Sequence, residues 1–332
     1  MKVFYGFDAL PQFRRPVVTM GSYDGVHCGH RQLLSRIVRI ASSIEGESVV
    51  VTFSPHPRLV LELGGGRSGH GSGGGGEGQG GVNDRSGVGG GDAQKGGAPL
   101  RELNSVAEKA MLLEEVGIDN LIVAPFTEEF SRISSYDFVK RYLIGKIGVR
   151  VLVVGYNHHF GHDREGDYGF LSRLQGEFDF EVYELPRQEV DRQKVSSTMV
   201  RELIGAGKMA QAARNLGRPY FALLHRDEGT LRPDIPDKLL PPPGKYPVAV
   251  EAWSSGAGTA GAGMEAAGMT VGGTRAAGVM GAGAVGVSPN ASCDRGAAVP
   301  KGKPTHTLTI APGGGLHLAP AVPAADFIVT FL

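Results

Sequence analysis

Two histidines lie three residues apart just after an apolar segment of the chain. Residues 17–30 read VVTMGSYDGVHCGH, and His27 and His30 are the histidines of this stretch. Imidazole N–H groups are fixed donors, which suit transfer reactions in which charge accumulates on phosphate oxygens. The stretch also carries glycines that let the chain turn tightly and approach an anion closely: Gly21, Gly25 and Gly29. The pattern therefore predicts a site that handles phosphate.

The elements around these histidines must place them at the start of a helix. Val17 to Met20 predicts a β-strand, and apolar residues from Leu33 to Ala41 recur at helical spacing. His30 is then expected on the first helical turn, where the N-terminus adds positive potential. An isolated H-x-G-H sequence would be interpreted as an incidental surface turn. The order strand, glycine turn, helix favours the phosphate site instead.

Strand-like and helix-like segments alternate up to about residue 220. We predict strands over 48–53, 120–124, 149–154 and 180–185, and helices from the capping box at Ser105 to Gly117 and over 135–147. This alternation implies an α/β fold with a parallel sheet, in which ligands bind beyond the carboxyl ends of the strands. Four loops are expected to converge on one crevice, those after Met20, Phe53, Ala124 and Val154.

Five motifs follow one another along residues 1–220: YDGVHCGH (23–30), TFSPHP (52–57), GYNHHFG (155–161), VSSTMVR (195–201) and LGRPY (216–220). In this order they resemble the motifs of bacterial FAD synthetases, whose FMN adenylyltransferase domain is usually fused to a riboflavin kinase. Tyr23 stands where that family has phenylalanine. The resemblance implies a Rossmann-like nucleotidylyltransferase domain over residues 1–220.

The resemblance also implies a role for each matching residue. His27 and His30 would bind the triphosphate and stabilise the reacting α-phosphorus, and Arg201 would hold the departing pyrophosphate. The implied ATP and phosphate contacts are Gly21, Tyr23, Asp24, Gly25, Gly29, Ser197, Thr198 and Arg201. The implied FMN contacts are Phe53, His56, Pro57, Asn157 and Phe160.

Three of these assignments have structural alternatives. Asp24 could bond the backbone of its own turn, and Asn157 could simply be a turn residue after Gly155. Residues 196–198 could form a helix N-cap, which is compatible with binding an anion.

No metal site built by the protein is predicted. His158 and His159 are adjacent, but no cysteine or suitably spaced carboxylate accompanies them as a zinc ligand. Mg²⁺ that arrives with ATP is expected to suffice, because it prefers phosphate oxygens and water.

The segment after residue 220 predicts a small antiparallel β region, with strands over 221–225, 246–252, 306–310 and 327–331. Residues 239–246, LLPPPGKY, resemble a stretch of riboflavin kinase. The G-F-P-T-A-N block of that kinase is missing, however, and no glutamate takes the position of its base near Thr305. The resemblance thus implies a degenerate riboflavin-kinase-like region over 221–332. Two glycine-rich tracts are expected to be a disordered insertion, 64–98, and a flexible loop, 254–286.

Composition restricts the partners. The 332 residues include 34 basic and 34 acidic ones, so there is no net charge to attract nucleic acid or an anionic membrane. No apolar run approaches the ~20 residues of a membrane span. The two cysteines, Cys28 and Cys293, predict no disulfide framework, as in a reduced compartment, and we expect a cytoplasmic protein. The sequence predicts no oligomeric state.

The leading hypothesis is an FAD synthase that transfers AMP from ATP to FMN and has lost kinase activity. One alternative is a bifunctional riboflavin kinase/FAD synthetase with a divergent kinase module. Another is a non-catalytic regulatory protein that binds flavin or nucleotide.

Overall fold

The computed structural model describes residues 1–64, 100–185, 195–253, 269–270, 304–322 and 326–332. Six strands from the first part of the chain and one short strand from a later part form a seven-stranded sheet. The six are β1 (Lys2–Tyr5), β2 (Val17–Met20), β3 (Ser48–Ser54), β4 (Asn120–Pro125), β5 (Val151–Gly155) and β6 (Glu181–Leu185). The later strand, at one edge, is β10 (Met269–Thr270). The order is β10-β1-β4-β3-β2-β5-β6, and every neighbouring pair is parallel except β1 with β10. The predicted parallel α/β sheet is confirmed.

Helices accompany this sheet along the chain. They are α1 (Cys28–Ser43), α2 (Pro57–Gly64), α3 (Val106–Val116), α4 (Glu128–Ser131), α5 (Ser135–Asp137), α6 (Tyr168–Leu174), α7 (Ser197–Gly205) and α8 (Met209–Leu216). The capping box at Ser105 and the left-handed Gly117 confirm the predicted limits of α3. The helix predicted over 135–147 has the expected extent, but Phe138–Ile147 is π-helical.

Both faces of the parallel sheet are buried. Val17 belongs to a core cluster with residues of α1 and α3, whereas its neighbour Val18 packs with residues of the π-helix. Because successive side chains of a strand point to opposite faces, this arrangement requires cover on both sides. The central strands β2 to β5 are accordingly almost continuously buried, and their apolar runs are how the sequence could reveal them.

A six-stranded antiparallel sheet forms the second part. Its strands are β7 (Phe221–Asp227), β8 (Thr230–Pro233), β9 (Gly244–Ala252), β11 (His306–Ile310), β12 (Leu316–Ala319) and β13 (Asp326–Phe331). The order is β12-β11-β9-β13-β7-β8, and the end strands β12 and β8 contact each other, so the sheet is nearly closed. The predicted antiparallel region is confirmed, although the sequence did not reveal the short strands β8 and β12.

A buried ion pair joins the two parts. The Lys238 ammonium donates to the Glu108 carboxylate on α3 and to the backbone carbonyls of Leu103 (2.7 Å) and Phe221 (3.1 Å). The same carboxylate accepts the N–H of Leu223 on β7 at 2.7 Å. Both charged side chains are fully buried. The parallel sheet and the antiparallel sheet therefore share one polar network.

The domain boundary at residue 220 falls between α8 and β7 and stays a prediction. The predicted insertion at 64–98 lies outside the described residues apart from Gly64, the last residue of α2. Most of the predicted flexible loop over 254–286 also lies outside them. Its described residues, Met269–Thr270, pair with β1 as strand β10, and the flexibility of this loop stays a prediction. Within the described ranges, no helix combines the length and apolarity that crossing a membrane requires.

Candidate active site

One cavity of about 1150 Å³ lies at the carboxyl ends of the central strands. Its lining comes from the loops after β2, β3, β4 and β5, including Gly21, His56, Phe126 and Asn157. The predicted convergence of four loops is confirmed. The reason is topological, since the carboxyl ends of parallel strands meet at one edge of a sheet.

His27 and His30 lie together at the start of α1, as the sequence predicts. His27 is the N-cap, and its Nδ1 accepts the backbone N–H of His30 at 3.4 Å. The two rings are stacked, with centroids 3.7 Å apart and planes at 16°. Because Nδ1 accepts this hydrogen bond, it carries no proton, and Nε2–H is the donor of this side chain.

The His30 ring is held neutral by its surroundings. Burial, together with the nearby His27 and Lys109, keeps the pKa of His30 well below its usual value. Its Nδ1 is buried, and no residue of the described chain bonds to it. A buried polar atom without a partner, beside a cavity, marks a position where a polar atom of a ligand can bind.

The turn before α1 is strained. Tyr23 and Val26 have φ values of +45° and +37°, a region that costs energy for residues with a side chain, above all a β-branched one. Gly25 is left-handed at +86°, and a Cβ there would lie 2.7 Å from Leu103. Such strain concentrates at functional sites, where surrounding contacts maintain it.

Asp24 fixes this turn to two other segments. Its buried carboxylate accepts the N–H groups of Leu103 (2.9 Å) and Asn104 (3.1 Å) and forms an ion pair with Arg201 on α7. Ser197 donates through its hydroxyl to the Asp24 carbonyl at 2.8 Å. The Asp24 carboxylate therefore has a structural role, but it bonds the backbone of the segment at Leu103 and not, as considered from the sequence, the backbone of its own turn.

Half of the predicted phosphate contacts do not line the cavity. Arg201 is engaged by Asp24 and by the Arg101 carbonyl (3.0 Å), and it lies outside the lining. The other residues outside the lining are Asp24, Gly25, Ser197 and Thr198. The lining includes the other half: Gly21, Tyr23, Gly29, His27 and His30. A phosphate contact from α7 stays a prediction.

The predicted flavin contacts all line the cavity: Phe53, His56, Pro57, Asn157 and Phe160. They belong to a wider aromatic wall that the sequence-based list missed. Phe126 packs edge-on against Phe53 with centroids 5.6 Å apart, and Phe130 and Phe138 extend the wall towards Phe160. An aromatic residue directly after strand β4 was the signal available for Phe126.

The cavity is rich in positive and neutral nitrogen groups. Its lining includes Arg58, Arg164 and five histidines, but neither aspartate nor glutamate among the described residues. Just outside it, the buried Lys109 donates to the Thr52 hydroxyl at 3.1 Å, and burial lowers the pKa of this lysine. Sequence reasoning missed Arg58, Arg164 and Lys109. Such a lining attracts anions.

The family profile described as FAD synthetase matches residues 10–199, which is more than half of the chain. The chain belongs to the FAD synthetase family. A bifunctional riboflavin kinase/FMN adenylyltransferase of Pseudomonas fluorescens is 31% identical over 210 residues, 63% of this chain and 57% of that protein. A protein of the same name from Listeria monocytogenes is 28% identical over 243 residues, 70% of this chain and 67% of that protein.

The matched region spans 57 to 61% of the length of the Pseudomonas fluorescens protein and of two proteins of the same name from Buchnera aphidicola. A crystal structure of a macrolide-efflux protein from Streptococcus pneumoniae superposes with a TM-score of 0.60 at 17% identity. The comparison covers 99% of this chain and 89% of that one, and at this identity it concerns the fold alone.

The two cysteines lie in different parts of the chain. Cys28 is buried at the start of α1, directly after His27, and Cys293 lies outside the described residues. The expectation of no disulfide framework therefore stays a prediction.

Acid is expected to destabilise this member of the FAD synthetase family between pH 6.5 and 4. Burial lowers the pKa values of His56 and His158 to about 4 each, whereas an unperturbed histidine titrates at 6.5. As the pH falls below 6.5, the unfolded chain takes up protons that the folded rings do not accept. The free energy of unfolding then decreases, by at most about 3 kcal/mol per ring. Denaturant unfolding from pH 7 to 4 checks this.

The variant His158→Leu provides the comparison. It removes one of the two rings, whose buried Nε2 atom has no partner among the described residues. Its free energy of unfolding should therefore decline less steeply over this window than that of the wild type. Parallel curves would contradict the assignment of acid lability to this histidine.

Proposed function

We propose that this chain is an FMN adenylyltransferase, which transfers AMP from ATP to FMN and releases pyrophosphate. The observation that carries the proposal is the lining of the cavity. Two stacked histidines at the N-terminus of α1 and an aromatic wall line the same cavity, whose described lining contains arginine and histidine but no carboxylate. An aromatic ring system that carries a phosphate, together with a nucleoside triphosphate, fits such a lining.

The reaction proceeds by in-line displacement. A phosphate oxygen of FMN forms a bond to the α-phosphorus of ATP, while the bond from that phosphorus to the bridging oxygen of pyrophosphate breaks. The His27 Nε2–H group, His30 and the N–H groups at the start of α1 donate to phosphate oxygens as charge develops on them. No covalent enzyme intermediate is required, because the protein supplies positions and donors.

Mg²⁺ is proposed to enter with ATP, whose charge it neutralises. Within the described residues, no group of three or more histidine, cysteine, aspartate or glutamate side chains could hold a metal ion. Mg²⁺ prefers oxygen ligands, and the described lining of the cavity has histidines and arginines but no carboxylate. The triphosphate and water would therefore be its ligands.

The second candidate function is a bifunctional riboflavin kinase/FMN adenylyltransferase. The names of the relatives favour it, as does the nearly closed antiparallel sheet after residue 220. We propose that kinase activity is absent, because the phosphate-binding block of the kinase has no counterpart. The connections after β7 are also short. The hairpin turn Glu228–Gly229 separates β7 from β8, and ten residues separate β8 from β9.

Product analysis distinguishes these functions. Purified protein is incubated with ATP and Mg²⁺, with FMN in one reaction and riboflavin in the other, and His30→Ala is the control. We expect FAD from FMN and no product from riboflavin. FMN or FAD formed from riboflavin would establish the bifunctional alternative. Tight flavin binding without turnover would instead favour the regulatory binding protein.

The proposal also specifies the partners of the protein. FMN and ATP are its small-molecule substrates. The expected absence of nucleic-acid and membrane partners and the cytoplasmic location stay predictions, which fractionation of the producing cells would test.

A further inference from the structure

The loop after strand β5 is built as a rigid support. Phe160 and Gly166 exchange two backbone hydrogen bonds of 3.0 Å, which close the loop. The fully buried Ser135 holds both ends, since its hydroxyl donates to the Phe160 carbonyl (2.9 Å) and its N–H donates to the Glu165 carboxylate (2.8 Å). The loop is thus fixed to the start of α5.

Two glycines let the loop pack this closely. A Cβ at Gly161 would lie 2.0 Å from the Ser135 hydroxyl oxygen, and one at Gly166 would lie 2.6 Å from it. Between them, Asp163 and Arg164 have φ values of +51° and +58°. Residues with side chains rarely adopt this left-handed conformation, and when they do, the surrounding structure imposes it, often at a functional site.

The loop presents Arg164 to the cavity. The side chain is exposed and belongs to the lining, along with Asn157 and Phe160 of the same loop. Within the described parts of the chain, no carboxylate forms an ion pair with this guanidinium. An arginine on a strained and tightly fixed backbone, aimed at a cavity and not paired with an acid, is suited to an anionic ligand.

We propose that Arg164 binds the phosphate group of FMN, an inference that rests on the proposed function. Adenylyl transfer requires two anions in one cavity. The histidine pair and the N-terminus of α1 address the triphosphate, so the phosphate of the second substrate needs a separate cation. Arg164 shares its loop with two of the predicted flavin contacts, and its planar fork can hold two phosphate oxygens at once.

Arg58 is the other arginine of the lining. It lies two residues after His56, in the first turn of α2, and its backbone N–H donates to the His56 ring at 3.2 Å. It therefore belongs to a different wall of the cavity, and the experiment treats it as the rival position. Arg150 is the matched control, because it lies next to the amino end of β5 and forms an exposed ion pair with Asp179.

The test compares FMN with riboflavin, which lacks the phosphate. Binding of each flavin to the full-length wild type and to Arg164→Met, Arg164→Lys, Arg58→Met and Arg150→Met is measured by flavin fluorescence. Arg164→Met should weaken FMN binding by about 10- to 100-fold, the usual effect of losing a charged hydrogen bond, and leave riboflavin binding unchanged. The KM for FMN should rise without a rise in the KM for ATP.

The other variants sharpen the result. Lysine at position 164 should restore part of the FMN affinity, because it keeps the charge but not the fork, and Arg150→Met should behave as wild type. Equal losses for both flavins in Arg164→Met would overturn the inference, and so would a specific FMN loss in Arg58→Met alone. If the wild type forms FAD while Arg164→Met binds FMN normally, only this inference fails. A wild type that forms no FAD and binds neither flavin refutes the proposed function as well.

Discussion

Replacing His27 by asparagine is expected to lower the rate of FAD formation from FMN and ATP by about 10² to 10³-fold, the usual cost of removing one donor to a developing negative charge. The His27 ring has two separate tasks. Its Nδ1 caps α1 by accepting the N–H of His30, and its Nε2–H is the proposed donor to phosphate. The side-chain oxygen of asparagine can replace Nδ1 as the cap, but asparagine has no group at the position of Nε2. The helix should therefore persist while catalysis is lost.

Glutamine at the same position is the matched control. Its amide nitrogen reaches further and can replace Nε2–H, whereas its cap is poor, because glutamine is not a preferred N-cap residue. His27→Gln should lose stability but keep more activity than His27→Asn. Initial rates of FAD formation and denaturant unfolding of both variants measure the two effects. Similar activity in His27→Asn and wild type would contradict the role of Nε2–H.

Replacing Lys238 by methionine is expected to lower the free energy of unfolding by about 3 to 5 kcal/mol. Lys238 and Glu108 are both fully buried, and removal of the ammonium leaves the Glu108 carboxylate as an uncompensated buried charge. Denaturant unfolding of the full chain measures the loss. A decrease below about 1 kcal/mol would place this pair with ordinary exposed ion pairs.

Two further variants separate charge from packing. In the double variant Lys238→Met, Glu108→Gln, no charge is left unpaired, and the amide oxygen of glutamine can still accept the N–H of Leu223. This double variant should be more stable than Lys238→Met alone. Arg132→Met, which breaks the exposed pair with Glu128, should cost no more than about 0.5 kcal/mol.

Lys238 is also connected by hydrogen bonds to the candidate active site. The lysine bonds to the carbonyl of Leu103, and the N–H of Leu103 bonds to Asp24 in the histidine turn. Asp24 in turn pairs with Arg201. The segment between β8 and β9 is thereby connected through two hydrogen bonds to the turn that carries the proposed catalytic residues.

Local patterns were sufficient to predict much of the first part of the chain. The strand before Gly21, the helix that begins at the histidines and the capping box of α3 all depend on residues within a few positions of one another. The carboxyl ends of parallel strands meet by topology, so the convergence of the motif loops also followed from the order of elements. The short strands β8 (TLRP) and β12 (LHLA) were missed because, unlike the equally short β2 (VVTM), they contain no run of β-branched residues.

The sequence by itself determined the parallel sheet, the histidine turn at a helix start, the family motifs and the aromatic contacts that they contain. Only the tertiary structure decided which charges neutralise each other. Arg201 pairs with Asp24 across 177 positions and Lys238 with Glu108 across 130, whereas Arg164 has no acidic partner in the described parts of the chain. Ion pairing depends on distances of a few ångströms between segments far apart in sequence, and a pattern of neighbouring residues does not contain those distances.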